Sequence, residues 1–109
     1  MARDKGLEAL IFDELHSTQG ITDKAMFGGW AWVLRGNLLC GARDDGMLVR
    51  LGKGNDAWAL AVAGIETMVS RGRPMSGWVR ADASVYGDDE LRRKLMASAV
   101  QFVGSLPGK

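Results

Sequence analysis

Hydrophobic positions recur with two different spacings along the chain, and each spacing predicts one kind of secondary structure. Spacings of three and four residues predict a first helix at residues 4–18 and a last helix that begins near residue 88. Between them, the alanine-rich stretch at residues 55–63 predicts a short helix. The chain is therefore predicted to contain three helices, of which the first and the last each have one apolar face.

Elsewhere the apolar positions alternate with a period of two, which is typical of strands with one buried face. Residues 25–51 are punctuated by the turns Arg35-Gly36-Asn37 and Asp44-Asp45-Gly46, so we predict three antiparallel strands there. Residues 65–69 and 75–82 predict two more. The predicted order is α-β-β-β-α-β-β-α. This is an α+β two-layer domain with a five-stranded antiparallel sheet and its helices mainly on one face.

The length of the first turn decides which residues face the helices. With a three-residue loop at Arg35-Gly36-Asn37, one sheet face is free of charge and the other collects the arginines of the first three strands. A two-residue loop would bury arginines beneath a helix, which is costly for unpaired charges, so we predict the longer loop. The predicted inner face then consists of Trp30, Trp32, Leu34, Leu38, Cys40, Ala42, Met47, Val49 and Leu51.

The opposite face of the predicted sheet is the candidate interaction surface. It mixes aliphatic residues, including Ala31 and Val33, with arginines, which is typical of a contact between proteins or between two copies of one chain. A homodimer is therefore predicted, with another protein as the other possible partner. Arginines beside a tryptophan also suit nucleic acid, and this remains the alternative function. The candidate residues are Arg35, Leu39, Arg43, Leu48, Arg50, Trp78 and Arg80.

Composition and charge narrow the classes of function. The chain has 109 residues and a net charge of +1, which fits a single domain over residues 1–109 and excludes a protein that holds DNA by overall charge. The basic residues are concentrated in residues 35–80, which carry a net charge of +3. The sequence shows neither a leader peptide nor an apolar stretch of membrane-spanning length. We therefore predict a cytoplasmic protein.

No group of residues predicts catalysis, a cofactor or a metal. The chain has one histidine, His16, and one cysteine, Cys40, whereas a nucleophile with its base, or a zinc site, needs several such groups together. The pairs Asp44-Asp45 and Asp88-Asp89 are explained by a turn and by a helix start. Gly52-Lys53-Gly54 lacks the spacing of a phosphate-binding loop. A small enzyme or ligand-binding domain is therefore the least favoured class, and we predict no enzyme.

Several motifs in order give the chain a family resemblance. They are Lys24-Ala25-Met26-Phe27-Gly28-Gly29, then Gly46-Met47-Leu48-Val49-Arg50-Leu51-Gly52, then Gly72-Arg73-Pro74-Met75-Ser76-Gly77-Trp78-Val79, and finally Ser105-Leu106-Pro107. With these motifs the sequence resembles the N-terminal domain of the TfoX family of competence regulators. The resemblance implies a compact α+β domain that takes part in bacterial gene regulation and has no catalytic residue. Full-length regulators of the family carry a C-terminal helical domain with no counterpart in this sequence, so we expect a stand-alone domain.

Overall fold

The chain folds as one antiparallel sheet with its helices packed against one face. The computed structural model describes residues 4–26 and 28–108, and these residues form four helices and six strands. The helices are α1 (Lys5–Leu15), α2 (Ala57–Leu60), α3 (Ala83–Tyr86) and α4 (Asp89–Gly104). The strands are β1 (Ile21–Met26), β2 (Gly29–Leu34), β3 (Asn37–Arg43), β4 (Gly46–Arg50), β5 (Ile65–Ser70) and β6 (Arg73–Ala81).

Aspartate side chains fix where three of these helices begin. The carboxylate of Asp4 accepts a hydrogen bond from the backbone N–H of Leu7 at the start of α1, and Asp88 does the same at the start of α4. Asp82 caps α3, and its hydrogen bond from the Ser84 hydroxyl lowers the pKa of the Asp82 carboxyl. The predicted role of Asp88 as a helix start is confirmed, whereas α3 was not predicted.

The sheet has the strand order β1-β2-β3-β4-β6-β5, and every neighbouring pair is antiparallel. The α+β class and the antiparallel sheet are confirmed, but the prediction of five strands was wrong. The additional strand is β1, where residues 22–25 are exposed and Asp23 and Lys24 lie at the centre. An edge strand without a buried face shows no apolar alternation, so the sequence pattern did not reveal it.

The turn between β2 and β3 has two residues, not the three that we predicted. Leu34 pairs with Asn37, which leaves only Arg35 and Gly36 in the turn. Both have positive φ angles, 50° and 85°, as the tight hairpin turn that matches strand twist requires. The predicted loop length was therefore wrong. The burial of arginines that we expected from a two-residue loop is avoided by a bulge in β3.

A bulge one step further along corrects the register. Trp32 pairs with Cys40 whereas Val33 pairs with Leu38, so Leu39 is an extra residue in β3. Beyond the bulge Cys40 shares the helix-facing side with Trp32, as predicted. The two leucines exchange their predicted places, because Leu39 lies in the main core and Leu38 packs on the other face.

The main core lies between the sheet and the helices. Its strand residues include most of the predicted inner face, and its helix residues come from the apolar stripes of α1 and α4. The most buried members of this main core include Leu7, Ile11, Leu34, Leu39, Cys40, Met47, Val49, Leu51, Val79, Leu95 and Ala99.

None of the helices in the described ranges combines the length and the apolar character needed to span a bilayer.

One buried charge ties α1 to α4. The guanidinium of Arg92, a residue that is 6% exposed, donates hydrogen bonds to the carboxylate of Glu14 at 3.3 Å and to the carbonyl of Tyr86 at 2.9 Å. It also forms an ion pair with Asp89 at 2.9 Å. A buried charge is tolerated when it is paired and hydrogen-bonded in this way, so Arg92 has a structural role.

A second, smaller core covers the sheet face away from the helices. It consists only of strand residues: Leu48, Met68 and Trp78, with Leu38 and Met75 packed against them. Leu48 is 0% exposed and Trp78 is 7% exposed. This face is therefore closed by part of the chain itself.

The β5–β6 hairpin provides that cover. Thr67 pairs with Val79 and Val69 pairs with Pro74, so a single residue of β5 lies opposite four residues of β6. Such an irregularity bends a two-stranded ribbon, and Gly77, with a φ angle of 83°, lies within it. The bend places the methionines of the hairpin against the second core.

Candidate functional site

The predicted interaction face does not have the apolar centre that the sequence suggested. Leu39 lies in the main core, while Leu48 and Trp78 are covered by the hairpin. Ala31 and Val33 are also buried, at 0% and 7% exposure. Placing Leu39 on this face was wrong, because the bulge turns it towards the helices. Whether the remaining surface binds a partner stays a prediction.

Two of the candidate arginines are engaged by carboxylates of the chain. Arg43 makes two hydrogen bonds of 2.9 Å to the carboxylate of Asp45. Arg80 donates to Glu66 at 2.6 Å and to the backbone carbonyl of Asp45 at 2.9 Å. These contacts offset both positive charges at the end of the sheet where β3 turns into β4.

The other two candidate arginines lie at the opposite end of the sheet. Arg50 donates to the carbonyl of Leu38 at 3.2 Å, and its guanidinium lies 5.7 Å from the centre of the Phe102 ring. Arg35 occupies the β2–β3 turn and lines a shallow groove with residues 19–20. The seven predicted residues therefore belong to separate surroundings and do not form one site.

The single histidine is exposed, whereas the single cysteine is buried. His16 is exposed at the end of α1, where its Nδ1 atom lies 2.9 Å from the carbonyl oxygen of Asp13, a hydrogen-bond acceptor. Cys40 is fully buried in β3, and burial raises the pKa of its thiol. A buried, protonated thiol is a poor nucleophile. In the described ranges, the structure brings no group of three or more metal-binding side chains together.

We expect Cys40 to react with a thiol reagent only when the chain unfolds. The reaction requires a thiolate that solvent can reach, and the native structure supplies neither property. Labelling at increasing urea concentration, followed beside circular dichroism, checks this expectation. The labelling and unfolding transitions should coincide, and rapid, complete labelling in the absence of urea would contradict the placement of Cys40.

One groove lies between α2 and the second half of α4. It has a volume of about 540 Å³ and is lined by Leu51, Gly54, Asn55, Ala57, Trp58, Ser98, Gln101, Phe102 and Ser105. None of these side chains is an acid or base in the ordinary pH range. The amino group of Lys94 lies above the neighbouring Trp58 ring, 4.4 Å from its centre. This groove therefore offers aromatic and amide surface but no acid–base pair.

An uncovered surface that mixes aromatic rings with charged side chains of α1 and β1 lies at the β1 edge of the sheet. Phe12 projects from the outer side of α1 and is 61% exposed, the highest value among the large exposed apolar side chains at residues 4–26 and 28–108. It borders a groove of about 440 Å³ to which Trp30 and Trp32 also contribute. The indole N–H of Trp30 donates to the carboxylate of Asp23 at 2.7 Å, which fixes the ring beside β1. We call this the α1–β1 surface.

Sequence analysis did not single out the α1–β1 surface. Phe12 follows Ile11 directly and lies off the apolar stripe of the helix, which was the only available signal. The exposed edge is continuous with it, because β1 is the first strand of the sheet order and residues 22–25 are exposed. The surface thus combines an aromatic side chain, a groove and a strand edge that no other described strand pairs with.

The architecture defines a class of small α+β domains in which one antiparallel sheet carries a helical layer. The chain matches the family profile described as the TfoX N-terminal domain over residues 13–103, and it belongs to that family. No curated protein and no solved structure shows significant similarity to it.

Proposed function

We propose that this chain is a regulatory domain that acts by binding another protein and not by catalysis. Membership of the TfoX N-terminal domain family supports this proposal, since such domains are generally regulatory and non-catalytic. The observation that carries the binding role is the α1–β1 surface, with Phe12 61% exposed beside an open strand edge. An exposed aromatic residue next to a groove is a common anchor point of protein interfaces.

The proposed partner contributes an extended segment that pairs with β1. The outer edge of β1 presents unpaired backbone N–H and C=O groups, and an added strand satisfies them. Alternate side chains of such a strand point towards the helix side, where the groove beside Phe12 and Trp30 accepts them. Backbone pairing then supplies affinity, and the aromatic groove supplies specificity.

The charges on β1 favour a different protein over a second copy of this chain. Two copies related by a twofold axis would pair their β1 strands antiparallel, with residues of the same face opposite each other. The central registers then place Asp23 opposite Asp23, or Lys24 opposite Lys24. Like charges directly opposite each other destabilise a strand pair. We therefore propose a different protein as the partner of β1, and the homodimer predicted from the sequence is not part of this proposal.

Capture experiments with matched variants test the proposal. The full chain, immobilised, is incubated with nuclease-treated extract of its native cell as wild type, Phe12→Glu and Leu60→Glu. Leu60 is also an exposed apolar residue, at 38%, but it lies on α2, near the opposite edge of the sheet. We expect one protein to be retained by the wild type and by Leu60→Glu and lost with Phe12→Glu.

The retained protein is then purified and its affinity is measured. Loss of an aromatic anchor costs about 2 kcal/mol or more, so Phe12→Glu should raise Kd by roughly thirtyfold while Leu60→Glu leaves it nearly unchanged. Equal retention by both variants contradicts the proposed site. A chain that is dimeric by light scattering and whose dimer is split by Phe12→Glu contradicts the choice of a different protein as partner.

A further inference from the structure

Five basic side chains for which the described residues provide no ion pair gather at one end of the sheet. This end is formed by the β2–β3 turn, the end of β4 with the loop after it, and the tip of the β5–β6 hairpin. We call it the basic end. Its charged residues are Arg35, Arg50, Lys53, Arg71 and Arg73.

Backbone contacts show that these segments are neighbours. The N–H groups of Leu51 and Gly52 both donate to the carbonyl of Gly77, which joins the end of β4 to the base of the hairpin. Arg50 reaches the carbonyl of Leu38 at the start of β3. On the hairpin, Met75 packs into the second core together with Leu38. The hairpin tip at Arg71 and Arg73 therefore lies at the same end as the β2–β3 turn.

The segments that form the basic end contain no carboxylate. Residues 30–43, 46–55 and 67–81 include neither aspartate nor glutamate, and the same is true of residues 91–108, which end beside the β2–β3 turn. The nearest acidic residue along the chain is Asp56, at the start of α2. Seven of the thirteen aspartates and glutamates lie instead at the opposite end of the sheet: Asp44, Asp45, Glu66, Asp82, Asp88, Asp89 and Glu90.

Three of the basic side chains are also free to bind. Lys53, Arg71 and Arg73 are exposed and extend away from the helical layer. Arg35 is exposed as well, but its side chain lies along Gly20 and the end of α4, and Arg50 is only partly exposed beside Phe102. A two-residue turn at Arg71-Gly72, with φ angles of 53° and 77°, holds the two hairpin arginines on a tight, narrow tip. The exposed cations thus project from the fold, while Arg43 and Arg80 at the other end are neutralised by their own ion pairs.

We infer that the basic end binds the phosphate backbone of double-stranded nucleic acid. A polyanion matches a surface whose segments carry several cations and neither aspartate nor glutamate, and each neutralised phosphate releases counterions. Trp78, the tryptophan among the candidate residues, is 7% exposed beneath the hairpin. Since Trp78 is covered and Phe102 is held against Arg50, the fully exposed charged groups of this end are cations, which favours contacts to the duplex backbone over stacking on single strands. The binding is therefore independent of nucleotide sequence and strongly dependent on salt.

The arginine pairs at the two ends of the sheet provide a charge-matched test. Arg71→Gln/Arg73→Gln removes two free cations, and Arg43→Gln/Arg80→Gln removes two paired ones, so both variants lose the same charge. Fluorescence anisotropy with a labelled mixed-sequence duplex is measured at a series of salt concentrations. Circular dichroism confirms that both variants fold, as expected for partly or fully exposed substitutions.

The affinity of the wild type for the duplex should fall as salt rises. For about three phosphate contacts, the plot of log association constant against log salt concentration should have a slope near −2.7. This corresponds to roughly 40-fold weaker binding when salt rises from about 50 to about 200 mM. The hairpin variant should retain a slope of about −0.9, and the variant at the other end should match the wild type. Phe12→Glu should also bind the duplex normally, which separates this inference from the proposed protein partner.

Three results would overturn the inference. The first is absence of duplex binding by the wild type at low salt. The second is equal weakening in both arginine variants, since net charge alone would then explain it. The third is binding of a polyglutamate peptide in preference to the duplex, which would identify an acidic protein as the partner of the basic end.

Discussion

Replacement of Gly77 by alanine is expected to destabilise the fold by about 3–5 kcal/mol, through backbone strain and overpacking together. A Cβ atom at this position would lie 2.6 Å from the carbonyl carbon of Gly52 and 2.6 Å from the amide nitrogen of Lys53. Both are backbone atoms that cannot move aside without breaking the hydrogen bonds between residues 51–52 and Gly77. The backbone φ angle of 83° adds the strain of a left-handed conformation.

Gly72→Ala is the matched control for this prediction. Gly72 lies in the same hairpin with a φ angle of 77°, but nothing lies within 4 Å of a Cβ atom placed there. Its replacement should cost only the conformational strain, about 1–2 kcal/mol. Urea unfolding of both variants measures the difference. Equal losses of stability would show that the close approach of the hairpin to the β4 end is not present in solution.

Leu39→Ala is expected to lower the free energy of unfolding by about 2–5 kcal/mol, as is typical of a leucine removed from a packed core. The neighbouring change, Leu38→Ala, should cost less, about 1–2 kcal/mol, because that side chain is only partly buried. The order of the two losses depends on the bulge in β3, which turns Leu39 towards the helices. Without the bulge the order would be reversed.

Denaturant unfolding of the two leucine variants decides between the two registers. Both variants remove the same atoms from adjacent positions of one strand, so differences in the unfolded chain largely cancel. A larger loss for Leu38→Ala would contradict the observed register and restore the three-residue loop. The same result would return Leu39 to the sheet face where a homodimer was predicted.

The elements with a strong apolar period were predictable from the sequence. The stripes of α1 and α4 and the alternation in β4 identify these elements and their buried sides. The edge strand β1 was not predictable in this way, because its centre is Asp23-Lys24 and its exposed residues carry no pattern. The prediction of the length of the β2–β3 turn was wrong for a different reason. Beyond the bulge, a two-residue turn with a bulge places the residues of β3 on the same sheet faces as a three-residue loop without one. The alternation of apolar residues therefore does not distinguish the two arrangements.

The functional surfaces depended on tertiary contacts that a sequence does not display. Arg43 and Arg71 look alike in the sequence, yet one is paired with Asp45 and the other is exposed at a hairpin tip. In the sequence Trp78 is a candidate for contact with nucleic acid, whereas in the structure it packs in one cluster with Met68 of the bent hairpin. Phe12 lies off the apolar stripe of α1, and only the structure shows that it is 61% exposed beside the edge strand of the sheet.

Hydrogen exchange of the β1 amides tests the central claim, that this chain acts by pairing its β1 edge with another protein. In the free chain, the amides that point away from β2 are open to solvent and should exchange rapidly. With the purified partner present, protection should rise in Ile21–Met26 and around Phe12 and stay unchanged in β5, the opposite edge. Protection that appears in β5 and not in β1, or a complex that leaves β1 exchange unaltered, would contradict the account.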